Sequence, residues 1–284
     1  MFSGGSDPVL LPFDMTYVPA DPGRGLSELL AAVGRHHWAA TSFTSTDGST
    51  WSETPANPAT LGDRDPQATS AFEAGMMSVV RNVAAANLVA VGWIRPISGD
   101  MSPRLGLWYS NDGQTWSIYR LNPTLIAPYT NVDASLLLRV GSELYAIGYG
   151  STGTTYERVT WVWSSGTGWA RVSRDHPVLG ATSTAELRNA CSGVAGFAPS
   201  GWVVGGFREG GILKAGVIWD TDRWRPLRPF IPLADPLANS RVVADCTPFE
   251  TPTFKGTVFV GSATVNGVPV GAVWRYGVTR FPGM

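Results

Sequence analysis

The chain has 284 residues, a formal net charge of −1, and only 15% charged residues. That balance excludes the basic face that broad nucleic-acid binding requires, and no run approaches the roughly 18 apolar residues of a membrane-spanning helix. With 33 Gly, 21 Pro and 12 Trp, the composition favours short strands, tight turns and large packed rings over helices.

In chain order, one unit recurs five times. It opens on a Pro-x-Leu landmark or a close variant: Pro8-Val9-Leu10, Pro58 with Leu61, Pro123-Thr124-Leu125, Pro177-Val178-Leu179 and Pro232-Leu233. A first strand follows: Met15-Thr16-Tyr17-Val18, Met76-Met77-Ser78-Val79-Val80, Ser135-Leu136-Leu137-Leu138, Arg188-Asn189-Ala190-Cys191-Ser192 and Val242-Val243-Ala244-Asp245-Cys246. The second strand is small, apolar and ends in glycine, at Gly34, Gly92, Gly148, Gly205 and Gly261. The third strand runs into a turn and a Trp. Residues 45–51 and 110–116 both read S-x-D-G-x-T-W, 65 residues apart. Residues 161–169 keep a Ser, a Gly and the Trp, and 217–224 keep a turn and the Trp. In 272–277 the pattern is most decayed, with Phe281 where the Trp would stand. A short last strand, as in Ser117-Ile118-Tyr119-Arg120, closes the unit.

Four antiparallel strands in about 55 residues make a propeller blade, which buries its faces only by stacking on neighbours. The expectation is an all-β, five-bladed β-propeller forming one domain over residues 1–284, with blades near 8–57, 58–122, 123–176, 177–231 and 232–284. The only helix-like stretch, 26–33, coincides with a blade strand.

S-x-D-G-x-T-W resembles the Asp-box, the hairpin motif of sialidase-type and other secreted propellers, in a form one residue shorter between Asp and Trp. The close resemblance covers about 14 residues, and the blade pattern extends it weakly along the chain. It implies that Asp47 and Asp112, with Trp51 and Trp116, are structural turn residues on the outer rim, away from the ligand face.

No residue carries a catalytic assignment. His36, His37 and His176 have no zinc-site spacing, and no acidic loop resembles an EF-hand, so no metal or other cofactor is expected. No G-x-S-x-G elbow occurs. Glycosidase chemistry needs two carboxyls roughly 5–10 Å apart. The acids on or beside first strands are Glu73, Asp133, Glu186 and Asp245, which do not occupy one register, with only Asp245 squarely inside its strand. Cys191 and Cys246 occupy matching first-strand positions in adjacent repeats. A disulfide and a pair of buried thiols both fit.

Aromatic and basic residues recur after the second strand: His36 and His37, Trp93 and Arg95, Tyr149 and Tyr156, Phe207 and Arg208. Read as equivalent loops on the face opposite the Asp-box turns, they have the composition of a contact surface. The expected function is non-catalytic recognition or assembly, binding a glycan or a protein partner. A virion component such as a phage tail protein, or a cell-surface protein, fits the composition. The start of the chain shows no signal peptide. The alternative is a glycoside hydrolase of the sialidase or arabinanase-like propeller type.

Overall fold

The computed structural model describes residues 10–20, 27–62, 72–82, 87–97, 102–183, 185–192, 201–209, 212–221, 224–227, 241–251, 254–265 and 268–279. Among them lie five antiparallel sheets, one per repeat. The first holds β1 (Leu10–Val18), β2 (Leu29–His36), β3 (Ala39–Ser45) and β4 (Ser52–Glu53). The second holds β5 (Phe72–Arg81), β6 (Leu88–Pro96), β7 (Arg104–Ser110) and β8 (Trp116–Ile118). The third holds β9 (Asn131–Val140), β10 (Glu143–Ser151), β11 (Tyr156–Ser164) and β12 (Gly168–Arg171). The fourth holds β13 (Ala185–Ser192), β14 (Gly201–Glu209), β15 (Ile212–Asp220) and β16 (Arg225–Leu227). The fifth shows β17 (Arg241–Glu250), β18 (Phe254–Val265) and β19 (Val268–Thr279); Phe281 lies outside the described residues. Strand order follows chain order in every sheet, so the fold class is the five-bladed β-propeller. One short helix appears among the described residues, α1 (Pro123–Ile126), on the third Pro-x-Leu landmark. Asn122 caps it, its Oδ1 accepting from the Thr124 N–H at 3.0 Å, an N-cap role suited to Asn. No helix among the described residues is long and apolar enough to cross a membrane.

The chain divides into two compact units, Met1–Leu137 with Leu144–Val172, and Leu138–Glu143 with Ser173–Met284. In the first unit, β6 shows how a blade strand serves two cores. Leu88 and Ala90 join one buried cluster with Ala31, Val33 and Trp108, while Val89 and Val91 join another with Val132, Ala146 and Trp161. Alternate side chains point to opposite faces of a strand, so both faces of this sheet are apolar. In the second unit, Cys191 of β13 and Cys246 of β17 form a disulfide, Cα–Cα 5.7 Å, resolving the alternative left open by the sequence. Trp202 packs edge-on against Phe259 beside it.

The glycine that ends each small-apolar strand has a steric cause. Gly34, Gly92, Gly205 and Gly261 pair with Pro12, Met76, Leu187 and Val243, and in all four first strands the register shifts immediately after that pair. A Cβ on Gly34, Gly92, Gly148 or Gly205 would overlap the carbonyl oxygen of Leu11, Gly75, Asp133 or Glu186. The bulged first strand presses its backbone onto the second, and only glycine admits that approach.

Third strands carry an aromatic at one fixed position. Phe43, Trp108, Trp161 and Trp219 are buried there, and the backbone of Trp274 stands at the same register position, opposite Phe259. Trp108 Nε1 donates to Thr60 O at 2.8 Å and Trp161 Nε1 to Leu125 O at 2.9 Å. The ring thus holds the Pro-x-Leu segment entering its own blade.

The two Asp-box turns have the same geometry. Asp47 Oδ1 accepts from the N–H groups of Ser49 and Thr50 at 2.8 and 2.7 Å. Asp112 Oδ1 accepts from Gln114 and Thr115 at 2.8 and 2.7 Å. Ser45 and Ser110 Oγ each accept from the glycine N–H at 2.8 Å. Gly48 and Gly113 adopt φ of 72° and 74°, a conformation natural to glycine. The Thr50 and Ser49 N–H groups hold the Asp47 carboxyl below the usual carboxylate range. For Asp112, burial opposes ionisation, but the Thr115 and Gln114 N–H groups outweigh it, so its value also falls.

Ala at Gly92 should cost about 1–3 kcal/mol of stability, the range for forced overpacking. Gly166, with nothing within 4 Å of a Cβ, supplies the control: Gly166→Ala should leave the thermal midpoint nearly unchanged. Asp112→Ala should cost about 0.5–2 kcal/mol at neutral pH, as for a lost cap. Folded Asp112 binds its proton less readily than the unfolded chain. Its contribution is therefore full above the ordinary carboxylate range and is lost as pH falls through the folded value. Thermal melts of wild type and Asp112→Ala at neutral and acid pH should converge in acid.

Candidate functional site

The site grows from the landmark glycine. The next residue in β2, β6 and β10 is Arg35, Trp93 or Tyr149, and in β14 it is Gly206. Its cross-strand partner is Leu11 for Arg35, Gly75 for Trp93 and Glu186 for Gly206. At Tyr149 the corresponding first-strand residue is Asp133, whose carbonyl presses on Gly148. These residues lie inside strands, not in the loops expected, because β6 and β10 continue through Pro96 and Ser151. The expected equivalence of Trp93, Tyr149 and Phe207 also fails by one residue. Counting from the glycine, Phe207 aligns with Ile94, and Arg208 with Arg95.

Trp93 is committed to its own fold. Its ring lies over Gly75, where a Cβ would come within 3.0 Å of it. The Arg35 guanidinium carbon sits 5.2 Å from the Trp93 ring centre and 5.1 Å from that of Trp38. Arg95 lies 6.0 Å from the same Trp93 ring and donates through Nε to Glu73 Oε2 at 3.2 Å. Glu73 is buried. The cluster is an alternation of rings and cations anchored on a buried carboxylate. His36 Nδ1 lies 2.8 Å from Glu53 Oε1, and Thr41 Oγ1 donates to the same oxygen at 2.9 Å. His37, stacked on His36, turns the chain with φ 53°. Both histidines thus belong to the hairpin and its closing strand.

The third blade is arranged differently. Tyr149 and Tyr156 stack with centroids 5.3 Å apart and planes 6° from parallel, and they are 37% and 66% exposed. They are diagonal cross-strand neighbours, since Ser151 pairs with Tyr156. Asp133 accepts a hydrogen bond from the Tyr149 N–H. Burial nevertheless raises its carboxyl above the ordinary value, the N–H opposing that only in part. The Tyr156 hydroxyl is also raised, by burial first and then by the nearby Asp133 and Tyr149. Where Gly75 leaves room for Trp93 to lie flat, Asp133 leaves none, so Tyr149 keeps a ring face to solvent beside a carboxyl group.

Four of the first-strand acids fall in two registers, and Glu73, opposite Arg95, lies in a third. Asp133 and Glu186 both precede the glycine-paired residue, while Asp14 and Asp245 both follow the bulge. Glu73, Asp133 and Glu186 are all inside strands, which corrects the reading that only Asp245 is. Asp14 was not singled out in the sequence. Its Oδ2 accepts from Ser78 Oγ at 2.7 Å and from the Val79 N–H at 2.9 Å. Asp245 Oδ1 accepts from Asn189 Nδ2 and the Cys246 N–H, both at 2.6 Å. Both aspartates tie one first strand to the next. Glu186 faces Arg188 at 3.5 Å. Among the described residues, no three His, Cys, Asp or Glu side chains converge as a metal site would require.

No protein-family model matches the chain, and no curated protein matches it in sequence. The Asp-box resemblance therefore rests on the turns alone. Solved structures similar to it include a glycosyl hydrolase from Bacteroides ovatus, at 10% identity and TM-score 0.44, over 93% of this chain and 84% of that one. A GH32 beta-fructofuranosidase from Bombyx mori is similar at 13% identity and TM-score 0.39, over 94% of this chain and 60% of that one. The GH74 xyloglucanase from Xanthomonas campestris is similar at 14% identity and TM-score 0.38, over 88% of this chain and 37% of that one.

Trp93→Ala should lower the thermal midpoint, because it strips Arg35 and Arg95 of a shared ring and opens space over Gly75. Each exposed cation–π contact is worth about 0.5–1 kcal/mol, and the lost ring burial adds to it. An unchanged melt would show that the ring cluster is not structural.

Proposed function

We propose that this protein is a glycan-binding β-propeller that holds a saccharide on the Tyr149–Tyr156 platform, with Asp133 hydrogen-bonding a sugar hydroxyl. One observation carries the reading: an exposed, parallel tyrosine pair beside a desolvated carboxyl group. Flat apolar sugar faces stack on such rings, and one or two polar groups fix their orientation. Binding without cleavage is favoured because Asp14, Glu73 and Asp245 are each engaged in hydrogen bonds that link strands or anchor the ring cluster. A glycosidase pair needs a second carboxyl across the scissile bond. An extracytoplasmic setting, at a virion or cell surface, is part of the proposal; the Cys191–Cys246 disulfide supports it.

The second reading is glycoside hydrolysis. Asp133 favours it, because burial shifts its carboxyl upward, the direction that a general acid requires.

A glycan array read beside reducing-sugar release separates the two. Tyr156→Ala should weaken binding about tenfold, equal to 1.4 kcal/mol, with the thermal midpoint near that of wild type, since the ring is largely exposed. Asp133→Asn should weaken binding further, with no sugar released by either protein. Release by wild type that vanishes in Asp133→Asn would establish the hydrolase reading in its place.

A further inference from the structure

The second Asp-box turn borders a groove that the first one lacks, and the blade-to-blade register explains why. Thr54 N–H donates to Ser42 O at 2.8 Å and Tyr119 N–H to Leu107 O at 2.7 Å, so Thr54 and Tyr119 are equivalent, as are Thr44 and Tyr109. Beside the first blade, that space is filled by the Asp112 turn itself. Ser42 Oγ donates to Gly113 O at 2.6 Å, Gln114 Nε2 to Ser52 O at 3.1 Å, and Trp116 Nε1 to Ser42 Oγ at 2.8 Å. Beside the second blade no such turn arrives. The third hairpin has lost its Asp, and the pairing of Trp163 with Trp169, as of Ser110 with Trp116, puts Trp163 where the box serine belongs. Trp169 Nε1 instead donates to Tyr109 Oη at 2.7 Å, and burial pushes the Tyr109 hydroxyl up to about 12.

What remains is an open groove of about 670 Å³, lined by Tyr109, Tyr119 and Trp163 on its aromatic side and by Asn111, Asp112 and Ser117 on its polar side. Tyr119 is 46% exposed and edge-on to Tyr109, centroids 5.7 Å apart. The turn hydrogen bonds from Ser110, Gln114 and Thr115 end on Asp112 Oδ1. Among the described residues no cation lines the groove, and Asp112 brings a negative charge, so an anionic ligand is disfavoured. A Tyr ring for stacking, a carboxylate that accepts from hydroxyls, and an amide and a hydroxyl that donate and accept suit a polyhydroxylated neutral ligand.

We propose that this groove is a second saccharide site, specific for neutral oligosaccharides and independent of the Tyr149–Tyr156 platform. Cellohexaose, maltohexaose and mannohexaose are titrated by calorimetry against wild type, Tyr149→Ala/Tyr156→Ala, and two groove variants. Tyr119→Ala removes the ring, and Ser117→Trp fills the groove from an exposed position. At least one hexaose should bind the platform variant with wild-type affinity. That binding should fall about tenfold or more when either groove change is added. Binding lost only with the platform change overturns the groove site and leaves the platform reading intact. Failure of all three sugars to bind the platform variant overturns it too. So does retention of a proline-rich peptide in their place, the other ligand that aromatic grooves accept.

Discussion

The backbone contact between a bulged first strand and the glycine of the second governs the rest of the structure. A β-strand ordinarily keeps its neighbour about 4.7–4.9 Å away, with side chains filling the faces. Here the bulge drives a carbonyl into space that any Cβ would occupy, at Gly34, Gly92, Gly148 and Gly205 alike. The bulge fixes register, and register fixes which first-strand residue lies across from the one after the glycine. Arg35, Trp93 and Tyr149 owe their common position to it. The polar residues just after the bulge owe it theirs, and they become the rivets between first strands: Asp14 to Ser78, and Asn189 to Asp245.

A shared position does not give a shared role. Trp93 and Tyr149 sit at one register point in adjacent repeats, yet one is folded into an Arg-Trp-Arg stack and the other offers its ring to solvent. The difference lies across the strand, in Gly75 against Asp133. A missing side chain opposite Trp93 gives the ring a floor to lie on, and two arginines then fix it there. An aspartate opposite Tyr149 occupies the corresponding place, and the ring pairs instead with Tyr156 at the strand end. An exposed ring beside a carboxyl group thus arises where the repeat departs from itself.

The Asp-box turns follow the same rule. The hydrogen bonds on their Asp and Ser oxygens agree to within 0.1 Å, because residues with the same key side chains determine them locally. Their surroundings diverge. Trp116 is buried against Ser42 of the first blade, whereas Trp51 is only half-buried. Loss of the box from the third hairpin leaves its neighbour's Tyr119 exposed. A degenerate repeat therefore creates a cavity without any insertion, by failing to supply the turn that would fill it.

The amino-acid sequence by itself determined the architecture: five repeats, their strands, the turn chemistry of Asp47 and Asp112, and the landmark glycine within each second strand. These are set by contacts within a few residues or by a period that repetition makes visible. It did not show where strands end, because β6 and β10 run on through residues whose Arg, Trp and Tyr composition looks like a contact loop. Nor did it show that Asp14 is a rivet, that Glu73 belongs to Arg95, or that Cys191 and Cys246 are joined. Each of these depends on a partner between 22 and 64 residues away. Only the tertiary structure decided which aromatic rings are structure and which are surface. A ring's exposure is set by what lies opposite it, and that residue belongs to another strand.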